Sequence, residues 1–256
     1  MRTLLLLAPL ALAACQSPSS PRLDTEADSL AFRVSEGAGG LKAWESLPGL
    51  SWEWAIVRDS VEMTRRRHVW DKRGDRARVE WAHGPDTMYV ALFSPSAFDS
   101  TKGQVAVNGA LVTGPEAASL LSEANGRFVN DGYWLLAPLK VLDPGVVRTV
   151  DRETGAPRLA LSFDRVGLTP GDRYWIEVEP VTGSMTGWSY VLEGGNEGNW
   201  LWSDPTTLTT PAGTLSLARV KTSADGQTTI FTDPTALDEI DETEFTDFQP
   251  RLRVTG

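Results

Sequence analysis

From Leu50 onward, apolar and polar residues alternate. Trp52, Trp54 and Ile56 fall on one face of an extended chain, and Ser51, Glu53 and Ala55 on the other. A period of two is the signature of a strand with one buried side. Strands are predicted next at 63–71, 76–83 and 87–93, with Lys72-Arg73-Gly74-Asp75 and Gly84-Pro85-Asp86 as the turns between them. This is an antiparallel meander. A short hairpin follows, Val105 and Val107 against Leu111 and Val112 across Asn108-Gly109. Asn-Gly between apolar alternations is a strong two-residue turn signal. Later strands are predicted at 146–151, 158–163, 173–179, 186–193, 198–203, 214–222 and 227–233. Their turns are Glu153-Thr154-Gly155, Thr169-Pro170-Gly171-Asp172, Gly194-Gly195-Asn196 and Ala224-Asp225-Gly226.

Ahead of the strands the period is helical. Leu30, Val34, Ala38, Leu41 and Trp44 make one stripe and predict a single helix over 26–46. Thr25 or Asp24 can cap it, and Pro48-Gly49 ends it. Gly37, Gly39 and Gly40 weaken its middle, each by up to ~1 kcal/mol relative to Ala. A second helix is predicted over 115–125, with Pro115 at its first position and Asn125-Gly126 closing it. A third piece, Asp131 to Leu142, is apolar, is interrupted by Pro138 and stops at Asp143-Pro144-Gly145. The tally is about eleven strands, one leading helix and helices inserted midway. A sheet of more than about ten strands must curl or split. One mainly β (α+β) domain over 26–237 follows, a curled antiparallel sheet with helices over its open side. The acidic stretch 238–256, with Asp238, Glu239, Asp241, Glu242 and Glu244, reads as a solvated end.

The first residues place the protein. Met1-Arg2 is a short basic start, Leu4 to Leu12 is apolar, and Leu12-Ala13-Ala14-Cys15 is a lipobox. A membrane span needs about 20 apolar residues, so 1–14 reads as a cleaved signal peptide. Cys15 is the one cysteine in the chain, and lipidation would consume its thiol. Residues 15–25, rich in Ser and Pro, read as a lipidated flexible tether. The expected location is the cell envelope. In a Gram-negative host, Gln16 after the cysteine favours the periplasmic face of the outer membrane.

Composition narrows the partners. The net charge is −10, with no basic stripe to offset it, so nucleic-acid binding is not expected. Ten tryptophans suit a large core, a carbohydrate platform or an apolar cavity. Catalysis finds little support. There are two histidines, no Gly-x-Ser-x-Gly, no His-Glu-x-x-His and no zinc spacing. No enzyme, metal or cofactor is expected. A carboxylate pair of the glycosidase kind stays open among 34 acidic residues.

Three runs carry a resemblance. They are Gly39-Gly40 and Trp44 before Leu50-Ser51-Trp52; Arg67-His68-Val69-Trp70; and Asp131 through Lys140 followed by Asp143-Pro144-Gly145. With the order of elements and the lipobox, this chain resembles the Lol-type lipoprotein carriers and their relatives (LolA/LolB-like proteins). The resemblance implies an unclosed β half-barrel of about eleven strands, helices on the concave side, and an apolar cavity for acyl chains. Cys15 aligns the chain with the anchored members. The implied role is reversible binding of an acyl chain or lipoprotein by a monomer. Trp52, Trp54, Trp70, Trp81, Trp134, Leu135 and Leu139 are the expected lining, or else ordinary core. On a strand, Arg65 and Arg67 face one way and Arg66 and His68 the other. Arg67 is the residue expected to touch the covering helix or a head group. The rival readings are a sugar platform on Trp200 and Trp202, and a structural envelope protein with a filled core.

Overall fold

The computed structural model describes residues 23–153, 155–163 and 171–253. The signal segment 1–14, Cys15 with its lipidation, most of the tether, and the turn residues Thr154, Thr169 and Pro170 lie outside the described residues.

The leading helix α1 spans Glu26–Gly37. Thr25 caps it. Its hydroxyl accepts from the Asp28 N–H at 3.0 Å, and the Asp28 carboxylate accepts from the Thr25 N–H at 3.2 Å. This reciprocal box satisfies two N–H groups that the first turn leaves free. The single helix predicted over 26–46 is two, because α2 starts afresh at Gly40–Ser46. Between them Gly39 adopts φ +106°, a left-handed conformation that favours glycine. A Cβ at Gly39 would sit 2.0 Å from the Thr214 carbonyl oxygen. The break therefore lets the chain lie directly on a strand, where the Ser216 N–H donates to the Ala38 carbonyl at 2.9 Å.

Six strands follow: β1 (Gly49–Arg58), β2 (Val61–Asp71), β3 (Arg76–His83), β4 (Thr87–Phe93), β5 (Gln104–Val107) and β6 (Ala110–Val112). After helix α3 (Gly114–Lys140) come β7 (Val146–Asp151), β8 (Arg158–Phe163), β9 (Arg173–Val178), β10 (Met185–Val191), β11 (Glu197–Thr210), β12 (Gly213–Ser223) and β13 (Thr228–Leu237). Among the described residues they form one antiparallel sheet, in the order β6-β5-β4-β3-β2-β1-β13-β12-β11-β10-β9-β8-β7. The count is thirteen rather than about eleven, with the 105–112 hairpin adding two short strands at one edge. β1 and β13 meet in the middle, paired from Gly49–Leu237 to Arg58–Thr228. β6 and β7 stay as edges, so the sheet curls without closing.

α3 joins those two edges across the concave side. The separate helices predicted at 115–125 and 131–142 are this one helix of 27 residues. Asn125-Gly126 does not end it. Leu121, Ala124, Phe128, Leu135 and Leu139 are buried on both sides of that point. Their burial outweighs the ~1 kcal/mol that an interior glycine costs. Pro138 sits in the last turn, where its missing N–H forfeits the bond to the Trp134 carbonyl but only two helical residues follow.

The segment after β13 is a strap, not simply a solvated end. Asp238, Glu239, Asp241 and Glu242 are exposed, but Glu244 and Leu252 are buried. Fully buried Arg78 of β3 donates to the carbonyls of Glu244, Asp247 and Gln249. Glu80 accepts from the N–H groups of Arg251 and Leu252 at 2.6 and 2.7 Å. A backbone held by buried charge on a neighbouring strand cannot float free.

Gly39→Ala should test the α1–α2 break. The substitution meets both a left-handed φ and the Thr214 carbonyl, so it should cost well above the 1–2 kcal/mol of a lone left-handed residue. Gly84, at φ +67° with nothing within 4 Å of an added Cβ, should show that smaller loss alone. Urea unfolding of the two variants makes the comparison.

Candidate functional site

Strand register defines the concave face. On β1 and β2, Trp54 stands opposite Arg66, Trp52 opposite His68 and Leu50 opposite Trp70. On β3, Trp81 stands opposite Arg66. Residues opposite one another share a face, so these side chains all point toward α3.

The centre of this face is ionic. Arg66 Nη1 donates to both oxygens of Asp131, at 2.8 and 3.0 Å. His68 Nε2 lies 2.9 Å from Asp131 Oδ2. Asp131 projects from α3, and it and His68 are fully buried. Trp52 stacks on the His68 ring at 4.6 Å, and the Arg66 guanidinium lies 4.5 Å from the Trp54 ring centroid. Burial holds the His68 pKa below its ordinary value. Arg66 already neutralises Asp131, so a proton on the imidazole would gain little. The neutral ring then donates from Nε2 and leaves Nδ1 bare.

The split of Arg65 and Arg67 from Arg66 and His68 stands as the alternation predicts, but the assignment of Arg67 does not. Arg67 faces outward. It pairs with Glu80 at 2.9 Å and with Glu244 of the strap at 2.5 Å. The contact with the covering helix belongs to Arg66, because the face that carries Trp52 and Trp54 is the one α3 covers.

Of the seven expected lining residues, Trp52, Trp54, Trp81, Trp134, Leu135 and Leu139 are buried and Trp70 is half-buried. They pack against one another and their neighbours rather than around an open space. Phe128 of α3 meets Trp52 at 5.6 Å and Trp70 at 5.5 Å. Trp134 meets Trp188 at 4.7 Å and Trp200 at 4.9 Å. Trp202 is buried too, so Trp200 and Trp202 form no external sugar platform; exposed Leu201 between them faces outward instead.

Two features depart from ordinary packing. Several buried donors find no protein partner: the indole N–H groups of Trp52, Trp54, Trp188 and Trp202, and the Tyr133 hydroxyl. Native interiors leave few such groups unpaired. A cleft of about 220 Å³ also opens between the end of α1, the end of α3 and strands β10–β12, lined by apolar Ala38, Pro138, Met185, Trp202, Pro205 and Ala218 and by Ser184, Thr186, Ser203 and Ser216.

Sequence reasoning missed Asp131 and Lys221. Asp131 heads the apolar run 131–142 and passed for a helix start. Lys221 shares the odd-numbered phase of buried Leu215 and Leu217, but so does Arg219, which pairs with Asp204 at the surface, so the phase does not single Lys221 out. Among the described residues, no three His, Cys, Asp or Glu side chains gather as a metal site. None of the described helices is long and apolar enough to cross a membrane.

No family model matches the chain, and no curated protein matches it. Solved structures do align. A DUF1329 family protein from Desulfovibrio piger aligns at 10% identity and TM-score 0.46, over 85% of this chain and 94% of its own. A LolA superfamily protein from Nitrosomonas europaea aligns at 11% identity and TM-score 0.44, over 85% and 97%. A domain from Vibrio parahaemolyticus described as outer membrane lipoprotein-sorting aligns at 8% identity and TM-score 0.42, over 85% and 94%. A LolA superfamily protein is thus among the solved structures that align with this chain. These alignments follow the course of the chain and transfer no residue role.

Two measurements bear on the ionic centre. Asp131→Ala leaves Arg66 buried without a counter-charge and should cost about 3–5 kcal/mol. Replacing Arg66 and Asp131 together by Met and Leu should recover most of that in denaturant unfolding. The His68 pKa is lower folded than unfolded, so the unfolded chain binds the extra proton. Its contribution should be complete above about pH 6.5 and shrink as the pH falls from there toward the depressed folded value. His68→Gln should flatten that part of the stability–pH curve.

Proposed function

We propose that this protein is a lipid-anchored envelope protein that shelters an acyl chain, or an apolar ligand of similar shape, between its curled sheet and α3, with no chemistry on it. The observation that carries this reading is how α3 is held. Its polar side-chain contacts with β2, the Arg66 ion pair and the His68 hydrogen bond, converge on Asp131. Around them stands a wall of tryptophans with unpaired indole N–H groups. A helix that merely completed a core would gain as much from apolar side chains of the same volume. A polar latch within an aromatic wall suits a cover that leaves and returns.

In the described state the latch is shut and the aromatics fill the concave space. Release of Asp131 would present Trp52, Trp54, Phe128 and Trp134 to a chain. Each methylene so buried gains about 0.8 kcal/mol, so a modest length offsets the lost packing. Lipid on Cys15 would tether the domain to the membrane surface, on the periplasmic face of the outer membrane in a Gram-negative host. Lipoprotein or lipid trafficking by a monomer is the setting this assigns. The filled concave face supports a second reading, a structural envelope protein without a ligand.

The full chain, purified gently from membranes, should carry close to one acyl-bearing molecule in native mass spectrometry with lipid extraction. Asp131→Asn should speed uptake of a fluorescent acyl probe. Protein that comes clean and ignores the probe, as wild type and as the variant, would leave the structural reading in place.

A further inference from the structure

Buried Arg78 and half-buried Arg66 and Arg67 each have an acid: Arg66 has Asp131, Arg67 has Glu80 and Glu244, and Arg78 has Glu80. Lys221 has none among the described residues. It lies on β12, opposite Trp202 of β11 and Ile230 of β13, and is fully buried. Its Nζ donates to the Ala218 carbonyl and the Thr232 hydroxyl, both at 2.6 Å, and sits 4.9 Å from the Trp202 ring centroid. Once protonated, the amine has three donors, and these two bonds leave one for an incoming acceptor. Both partners are neutral. Burial alone pushes its pKa well below the ordinary lysine value.

The place is a parting in the sheet. β12 and β13 pair from Val220–Phe231 to Thr222–Thr229. Beyond that, the Thr232 hydroxyl rather than a strand N–H approaches the carbonyls of Ala218 and Arg219, at 3.2 and 3.4 Å. The 220 Å³ cleft ends against it: Trp202 and Ala218 line the cleft and also touch Lys221, which itself stays behind them. The Trp202 indole N–H is buried without a protein partner, as is that of Trp188, whose ring lies 5.2 Å away. No acidic side chain lines the cleft, and Lys221 lies one layer behind its Trp202 and Ala218 wall.

We infer that Lys221 is an anchor for the head group of the ligand, and that the ligand is an acyl chain ending in a free carboxylate. The inference rests on the acyl-binding reading above and narrows it. A carboxylate offers two acceptor oxygens and one negative charge. It would take the spare Lys221 donor and reach the Trp202 N–H, while the chain ran along the apolar wall of Ala38, Pro138 and Met185. An alcohol, ester or amide head would bring no charge to hold the amine protonated. A buried amine that meets its acid only in the complex makes the bond a condition of binding rather than of folding.

The test is a titration of the full chain with hexadecanoate and with hexadecanol, read by tryptophan fluorescence and confirmed by native mass spectrometry. Wild type should bind the acid at least about ten-fold more tightly than the alcohol. Lys221→Met should keep the alcohol and lose that preference. Equal binding of acid and alcohol by wild type would overturn the anchor and leave the acyl-binding reading standing, with Lys221 serving to close the parted strands. Binding of neither would overturn both. The wild-type comparison decides the matter even if the variant does not fold.

Discussion

A curled antiparallel sheet with two free edges has one face that it cannot leave to water, and α3 is what covers it. Every other feature follows from that constraint. The strands run outward from the centre to β6, the chain crosses the concave side, and seven more strands return to pair β13 with β1. The crossing helix must be long, because it spans edge to edge. It must be apolar on the side it buries, which explains why an interior glycine and a late proline are tolerated. Asp131 is the exception on that buried side. Its two partners come from adjacent inward positions of β2, so one carboxylate fixes both the depth and the rotation of the helix on the sheet.

Strand β2 carries charge on both faces, and the two faces use it differently. Outward, Arg67 joins Glu80, Glu244 and Arg78 in a network that binds the C-terminal strap through its backbone as well as its side chains. Many bonds of mixed type, made to main-chain groups, resist removal one at a time. Inward, Arg66 and His68 converge on one carboxylate, with aromatic rings rather than further polar groups around them. Loss of that single partner frees the whole contact. The outer set is suited to permanence and the inner set to release, although both arise from one alternating run, Arg65-Arg66-Arg67-His68.

Alternation made much of this legible in the sequence. It separated Trp52 and Trp54 from Glu53, and Arg66 and His68 from their neighbours. The Asn108-Gly109 turn is where local chemistry put it, both residues at positive φ. What alternation cannot say is which face is which, because that depends on where α3 lies. Arg67 was therefore placed on the wrong side. Local rules also broke the long helix at Asn125-Gly126, since they do not weigh burial on either side of a weak point. The strap was invisible for a similar reason. Its partners Arg78 and Glu80 look like a solvated strand face, and their burial comes from a segment more than 160 residues away.

Charge is distributed differently over the inner and outer faces. The chain as a whole is acidic, at −10. Its concave interior is not. Arg66 is balanced by Asp131, Arg148 by Asp28, and His68 is held neutral by burial. Lys221 then remains, beside indole N–H groups that donate and cannot accept. An interior with surplus donors favours a ligand that brings acceptors and negative charge. The acidic exterior disfavours loose adsorption of the same anions. A neutral chain would gain the same hydrophobic transfer but leave the donors unsatisfied. On the proposed acyl-binding reading, the few polar atoms of this face, rather than its aromatic and aliphatic side chains, would therefore set its selectivity.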